Sequence, residues 1–139
     1  PPTNKCVIDY GCGSGILAIA AKKLGAAKVI AIEIDDEALL VAKQNAENNQ
    51  VDIAIRDGKE EISLSCDLLM ANILANPLII LAPLFASMII AGGKIILSGI
   101  LTEQKKSVID AFSSFFNILY VREEGGWILL EGERIKGQP

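Results

Sequence analysis

Between Val7 and Gly15 the chain reads Val-Ile-Asp-Tyr-Gly-Cys-Gly-Ser-Gly, a short apolar run that ends on an acid and enters three alternating glycines. The next stretch, Ile16 to Leu24, is patterned as a helix, with Gly25 as its stop signal. No other feature constrains the fold as tightly. Glycine at 11, 13 and 15 opens backbone angles closed to other residues and lets a ligand come close to the main chain. A strand, a glycine turn and a helix in this order belong to an open α/β sheet that binds a nucleotide-like ligand beyond the carboxyl ends of its strands.

A second signal supports the first. Lys28 to Ile34 reads as a strand, with Glu33 near its end, twenty residues after Gly13. That is about the separation (~20 residues) at which an acid at the tip of the second strand meets ribose hydroxyls. A carboxylate there accepts two charge-assisted hydrogen bonds from a vicinal diol. Turn and acid together specify an adenosine-containing ligand without specifying which one.

Strand and helix patterns alternate along the rest of the chain. Strand one covers Lys5 to Asp9, and its helix runs from Ser14 to Leu24. Asp35 reads as an N-cap, with Asp36 and Glu37 in the first turn of a helix that reaches Asn48 and carries Ala38, Val41, Ala42 and Asn45 on one face. Val51 to Ile55 is a third strand, followed by Arg56-Asp57-Gly58, and Asp67 to Asn72 is a fourth. Pro77 to Ile90 reads as a helix kinked at Pro83. Ala91-Gly92-Gly93 reads as a turn before a fifth strand at Lys94 to Ser98, and Thr102 to Phe115 as the next helix. Asn117 to Arg122 and Trp127 to Glu131 face each other across Glu124-Gly125-Gly126 as an antiparallel hairpin. Trp127, Phe112 and Phe116 are expected in the core. The sum is an α/β fold: a doubly wound, mostly parallel seven-stranded sheet with an antiparallel C-terminal hairpin and one reversed strand near an edge.

Composition sets outer limits. The 139 residues, 51% of them hydrophobic, suffice for one domain with a full core. A net charge of -4 gives no basic footprint for nucleic acid, so no direct nucleic-acid binding is expected, while a basic protein substrate is tolerated. The chain has no histidine, which excludes Ser-His-Asp and Cys-His chemistry and histidine-ligated metals within it. Cys6, Cys12 and Cys66 form no Cys-x-x-Cys pair, so no metal site is expected and a reducing, cytoplasmic compartment is. The longest apolar run, Leu78 to Ala91, is broken by Pro83 and too short for a bilayer, so no membrane partner is expected.

Residues 7 to 21 resemble the first motif of S-adenosylmethionine-dependent methyltransferases. Asp67-Leu-Leu-Met-Ala-Asn-Ile-Leu-Ala75, Gly93-Lys-Ile-Ile-Leu-Ser-Gly-Ile-Leu101 and Arg122-Glu-Glu-Gly-Gly-Trp-Ile128 narrow the resemblance to the family that methylates ribosomal protein L-eleven of the large subunit. The likeness covers essentially the whole chain and implies a class I, Rossmann-like methyltransferase domain. A terminal hairpin agrees with that class better than with a dinucleotide oxidoreductase, which continues with a second parallel half. Members of the family carry an amino-terminal substrate-recruiting domain and a threonine-rich segment before the first strand. Residues 1–139 are therefore expected to be a single cofactor-binding catalytic domain without that recruiting domain.

The resemblance implies S-adenosylmethionine as cofactor, held by Asp9, Gly11, Cys12, Gly13, Ser14, Gly15, Glu33, Ile34, Asp57, Gly58 and Asn72. Asp9 is expected to organise the glycine loop and reach the ammonium of the methionine part, with amide capping alone as the plainer reading. Cys12 and Ser14 are expected to offer backbone amides. Asp57 is expected at the adenine amino group, or simply in an Asp-Gly turn. Asn72, at the rim of strand four, is the candidate catalytic residue, orienting the nucleophile or the methionine moiety. Related enzymes with planar acceptors carry Asn-Pro-Pro-Tyr there. Asn72-Ile73-Leu74-Ala75 points instead to a flexible aliphatic amine, a lysine side chain or α-amino group of a ribosomal protein. Two other readings stay open: a cofactor-binding fragment inactive without its docking domain, and a small-molecule methyltransferase.

Overall fold

A computed structural model of the chain describes residues 2–59 and 64–136. Its seven strands are β1 (Cys6–Tyr10), β2 (Lys28–Glu33), β3 (Ala54–Asp57), β4 (Cys66–Asn72), β5 (Ile89–Leu101), β6 (Phe116–Glu124) and β7 (Trp127–Arg134). The helices are α1 (Ile16–Lys23), α2 (Asp36–Asn48), α3 (Ala75–Met88) and α4 (Lys105–Phe112). The strands form one sheet in the order β3-β2-β1-β4-β5-β7-β6. β1 to β5 pair in parallel, and β7 pairs antiparallel with both β5 and β6. The doubly wound sheet and its reversed strand near one edge are thus as the sequence predicts.

Chain order reverses between β1 and β4, and at that point an open parallel sheet parts its connections and leaves a crevice at its carboxyl edge. The register lines up the candidate residues along that edge. Glu33 lies beside Asp57, Tyr10 beside both Ile32 and Ala71, and Asn72 beside Ser98.

The two sheet faces are packed differently. One buries Ile8, Ile30, Ile32, Leu69, Ile95 and Leu97 together with Leu78, Phe85 and Phe112 from α3 and α4. The other is a thinner layer of Val7, Val29 and Ala31 with Ala18 and Ala21 of α1. Small side chains there let α1 sit close over β1, which fixes the glycine turn joining them. Tyr10 and Phe85 meet edge to face, with ring centroids 4.9 Å apart, and pin the end of β1 to α3.

Several local expectations are corrected. α1 begins at Ile16, not Ser14, because Gly15 at φ 83° sits at the N-cap and keeps Ser14 in the turn. α2 turns Leu39, Ala42 and Ala46 to the core and leaves Val41 exposed, a rotation set by the small Ala42 seating against Gly15. α3 starts two residues before Pro77, retains Pro83 inside, and passes directly into β5. Ala91-Gly92-Gly93 is therefore not a separate turn. It lies within β5 where the register with β4 slips, and a Cβ on Gly93 would meet the Asp67 carbonyl at 2.9 Å. Thr102 to Phe115 divides into a 3-10 turn at Thr102–Gln104 and α4. Phe112 and Phe116 are buried, but Trp127 is 52% exposed, since it opens β7 at the hairpin tip beyond the packed layer.

Candidate functional site

The glycine turn is held by the end of β2. The amides of Gly11 and Cys12 both donate to the Ile32 carbonyl, at 2.8 and 3.0 Å. The Gly13 amide donates to Glu33 Oε1 at 2.9 Å, while Glu33 Oε2 accepts from the amides of Ile34 and Asp35 at 2.8 and 3.0 Å. Glu33 thus ties the turn to its own strand with three charge-assisted bonds. From α2, Asn45 Nδ2 donates to the Ser14 carbonyl at 2.9 Å, and the Ala42 side chain would lie 3.4 Å from a Cβ on Gly15. The sequence places Asn45 on a helix face without showing its partner. The pairing follows from how α2 seats on the turn.

The three glycines serve different ends. A Cβ on Gly11 would overlap Ile73 Cγ2 at 2.6 Å, so Gly11 allows the turn to approach the segment after β4. Gly13, at φ 55°, has nothing within 4 Å of the position a Cβ would take, and its bare Cα faces open space. Gly15 supplies the left-handed geometry that starts α1.

Asp9 is buried, and its Oδ2 has no hydrogen-bond partner. Burial pushes its carboxyl up to about 6; the Ala18 amide in the first turn of α1 opposes this, and the charge of Glu33 adds to it. The Gly11, Cys12, Gly13 and Gly15 amides are all satisfied by acceptors other than Asp9, so capping of these amides does not account for it. A buried carboxylate with an oxygen left over suits a cationic partner. Cys12 differs: burial first, then the charges of Asp9 and Glu33, push its thiol up to about 12, so it offers no thiolate near neutrality.

Asp35 caps α2 by accepting the Glu37 amide at 3.1 Å, as expected of it. Asp57 Oδ1 accepts the Lys59 amide at 2.9 Å in the Asp-Gly turn, and Lys59 bridges to Asp36 at 3.0 Å. A Cβ on Gly58 would meet Ile34 Cγ2 at 2.8 Å, so these two candidates are in contact at the β2–β3 end of the edge.

An apolar cleft of about 620 Å³ opens beside the turn, lined by Tyr10, Gly11, Glu33, Ile34, Ile73, Leu74 and Pro77. This is within the size of small-molecule sites, on the order of 300–1,000 Å³. Ile34 and Leu74, 61% and 71% exposed, both contribute apolar surface to its walls. Asn72 stands next to Ile73 and is 2.7 Å, through Oδ1, from the place of a Cβ on Gly99. Gly99, which the sequence reading does not single out, is what makes room for it. Of the candidate residues, Gly11, Glu33 and Ile34 line this cleft, and its apolar walls with an acid at the rim suit a nucleoside. Asp9 and Gly13 are not among its lining residues, and Asn72 and Asp57 line other clefts.

Strand order, reversed penultimate strand and glycine turn at the point of chain reversal define a Rossmann-like class I methyltransferase fold. Residues 2–135 match the family described as ribosomal protein L11 methyltransferase (PrmA), and the chain belongs to that family. A ribosomal protein L11 methyltransferase of Cupriavidus pinatubonensis is 45% identical over 133 residues, 94% of this chain and 44% of the relative. One from Shewanella sp. strain ANA-3 is 46% identical over 135 residues, covering 95% and 46%. The chain thus spans less than half the length of these curated relatives. The crystal structure of ribosomal protein L11 methylase from Lactobacillus delbrueckii subsp. bulgaricus superposes with a TM-score of 0.90 at 39% identity, over 96% of this chain and 71% of that one.

Proposed function

We propose that this domain binds S-adenosylmethionine at the β1–β4 crevice and transfers its methyl group to amines of a large-subunit ribosomal protein, the L11 named in its family. The observation that carries the reading is the cleft beside the glycine turn, where Glu33, Ile34, Ile73 and Leu74 converge. Asp9 would take the cofactor's ammonium, Gly13 would let its amino-acid part lie against the backbone, and Glu33 would accept the ribose hydroxyls. Ile34 and Gly58 would bound the adenine, with Asp57 at its amino group.

S-adenosylmethionine, when bound, supplies a methyl group on a positively charged sulfur that departs as a neutral thioether. The chain then has to present an uncharged amine in line with that methyl. Orientation and proximity of this kind are worth up to about 7–11 kcal/mol. Lysine titrates near ~10.4 in water, and desolvation lowers an amine's pKa. Asn72, a neutral amide at the rim, would accept a hydrogen bond from the amine and fix its lone pair without adding a charge. The amine's proton leaves to solvent, which agrees with a chain that has no histidine to act as a base.

Titration calorimetry with S-adenosylmethionine and a methyl-transfer assay with ribosomal protein L11 test the reading. Saturable binding with transfer is expected. Binding without transfer would reduce the domain to a cofactor holder, and absence of binding would overturn the proposal.

A further inference from the structure

The pairing of β1 with β4 ends at Tyr10 and Ala71, while that of β4 with β5 runs one residue further, to Asn72 and Ser98. Asn72 is therefore registered against β5 alone. On the β1 side the glycine turn bends away, since the Gly11 and Cys12 amides are spent on the Ile32 carbonyl of β2. A side chain spans the gap from that turn to the end of β4. Ile73 Cγ2 stands 2.6 Å from the position a Cβ on Gly11 would take, so it rests in the space such a side chain would fill. On the other side, the Ile73 nitrogen and carbonyl oxygen lie 3.4 and 3.0 Å from the place of a Cβ on Gly99.

Residue 73 is thus seated between two glycines, one from each strand that flanks β4, both with left-handed backbone at φ 75° and 81°. A side chain on either would displace it. Such a seat selects a side-chain shape as well as a volume. Isoleucine branches at Cβ and is stiff at χ1, so its Cγ2 keeps a fixed place relative to the backbone. Leucine has as many carbons, but its branch lies one carbon further out and leaves the Gly11 seat empty. The Ile73 side chain also lines the cleft assigned to the cofactor, and its backbone continues directly from Asn72.

We infer that Ile73 is a positioning residue for methyl transfer: its β-branch, braced on Gly11, fixes the Asn72 amide relative to the cofactor turn. The inference rests on the cofactor reading above and adds to it the part that keeps the rim amide in register with the methyl donor.

Two substitutions separate a brace from a plain apolar wall. Ile73→Val keeps Cγ2 and loses one methyl, whereas Ile73→Leu keeps the carbon count and loses the β-branch. A wall that needs only volume prefers leucine; a brace prefers valine. Both are small changes of packing that leave the fold intact, which thermal unfolding checks. Calorimetry with S-adenosylhomocysteine should give affinities within about threefold of the parent for both, as the cleft stays apolar. At saturating S-adenosylmethionine and ribosomal protein L11, kcat should stay within about twofold in Ile73→Val and fall about tenfold or more in Ile73→Leu, with the cofactor KM unmoved. The side-chain amide signal of Asn72 in an NMR spectrum, identified by its loss in Asn72→Asp, gives the same comparison without turnover. With S-adenosylhomocysteine bound it should keep its position in Ile73→Val and move in Ile73→Leu. Full kcat or an unmoved amide signal in Ile73→Leu, equal damage in Ile73→Val, or loss of cofactor affinity in step with kcat overturns the inference. A parent chain that takes up no S-adenosylhomocysteine overturns the cofactor reading itself, and in one that binds without transfer the amide signal decides.

Discussion

Gly99 and Asn72 are neighbours that cannot both carry a side chain: a Cβ on Gly99 would stand 2.7 Å from Asn72 Oδ1 and 3.0 Å from the Ile73 carbonyl. Gly99 also has φ 81°, where a side chain is strained whatever the space. The glycine of β5 therefore sets where the amide of β4 points.

From this we expect Gly99→Ala to lower stability by about 1–3 kcal/mol through strain and overlap. Methyl transfer should fall further, by on the order of 100-fold, because Asn72 is displaced from the reacting geometry. Thermal unfolding and single-turnover kinetics, measured on the same preparation, separate the two effects. Retention of full transfer in a folded variant would show that the Asn72 position does not govern the reaction.

Glu33 holds the glycine turn in the structure and is proposed to hold the ribose as well, and a substitution separates the two duties. A carboxylate offers about four lone-pair positions, and three are taken by the Gly13, Ile34 and Asp35 amides. A ribose diol needs two, so one amide bond must give way when the cofactor enters. Glu33→Ala should weaken cofactor binding by several kcal/mol at most. The same variant should speed hydrogen exchange at the Gly13 amide even with no cofactor present. Unaltered affinity by calorimetry would dismiss the ribose assignment, and unaltered exchange would dismiss the structural duty.

Arg134 supports a prediction about the fold alone. Its guanidinium is buried and donates to the carbonyls of Ala86, Phe115 and Ile135 at 3.0, 3.4 and 3.2 Å. It thereby joins the end of α3, the turn after α4 and β7. Arg134→Met removes the side-chain donor from the Ala86 and Ile135 carbonyls, while the Phe115 carbonyl keeps the Ile135 amide at 2.9 Å. It should cost about 2–4 kcal/mol; Arg134→Lys, lacking the planar fork, should recover only part of that. Denaturant unfolding gives the values. A stable Arg134→Met variant would mean that water replaces the fork.

What the sequence discloses is what depends on one strand end at a time. Asp9, Glu33, Asp57 and Asn72 each close a strand or follow it, and alternating β and α patterns suffice to bring those ends to one edge. The glycine turn is legible for the same reason. What stays hidden depends on register and seating between distant segments. The Asn45–Ser14 bond needs α2 rotated so that Ala42 meets Gly15, and the Leu39-Ala42-Ala46 stripe cannot be told from its neighbour by composition. The Gly99–Asn72 contact needs the β4–β5 register, with the slip that absorbs Ala91-Gly92-Gly93 into the strand. Trp127 is misplaced by its hydrophobicity, because a hairpin tip carries it past the end of the layer that would bury it.

Asp9 links the site to pH. Its carboxyl sits at about 6 in the folded chain against an ordinary 3.8, so folding favours the protonated form. Below pH 3.8 the group is neutral in both states and burial imposes no ionisation cost. As pH rises from there through 6 the cost accumulates, reaching about 3 kcal/mol above it. Asp9→Asn removes the charge, so it should stabilise the cofactor-free chain by up to about 3 kcal/mol at pH 8 and by nothing comparable at pH 3.5. A cofactor ammonium would offset the same cost in the parent, so affinity for S-adenosylmethionine should rise between pH 5 and 7.5 and be weakened about tenfold or more in Asp9→Asn. Chemical denaturation at both pH values, with calorimetry beside it, decides the matter. A variant that is less stable at pH 8, or that binds the cofactor as tightly as the parent, would mean that Asp9 serves the loop and not the ligand.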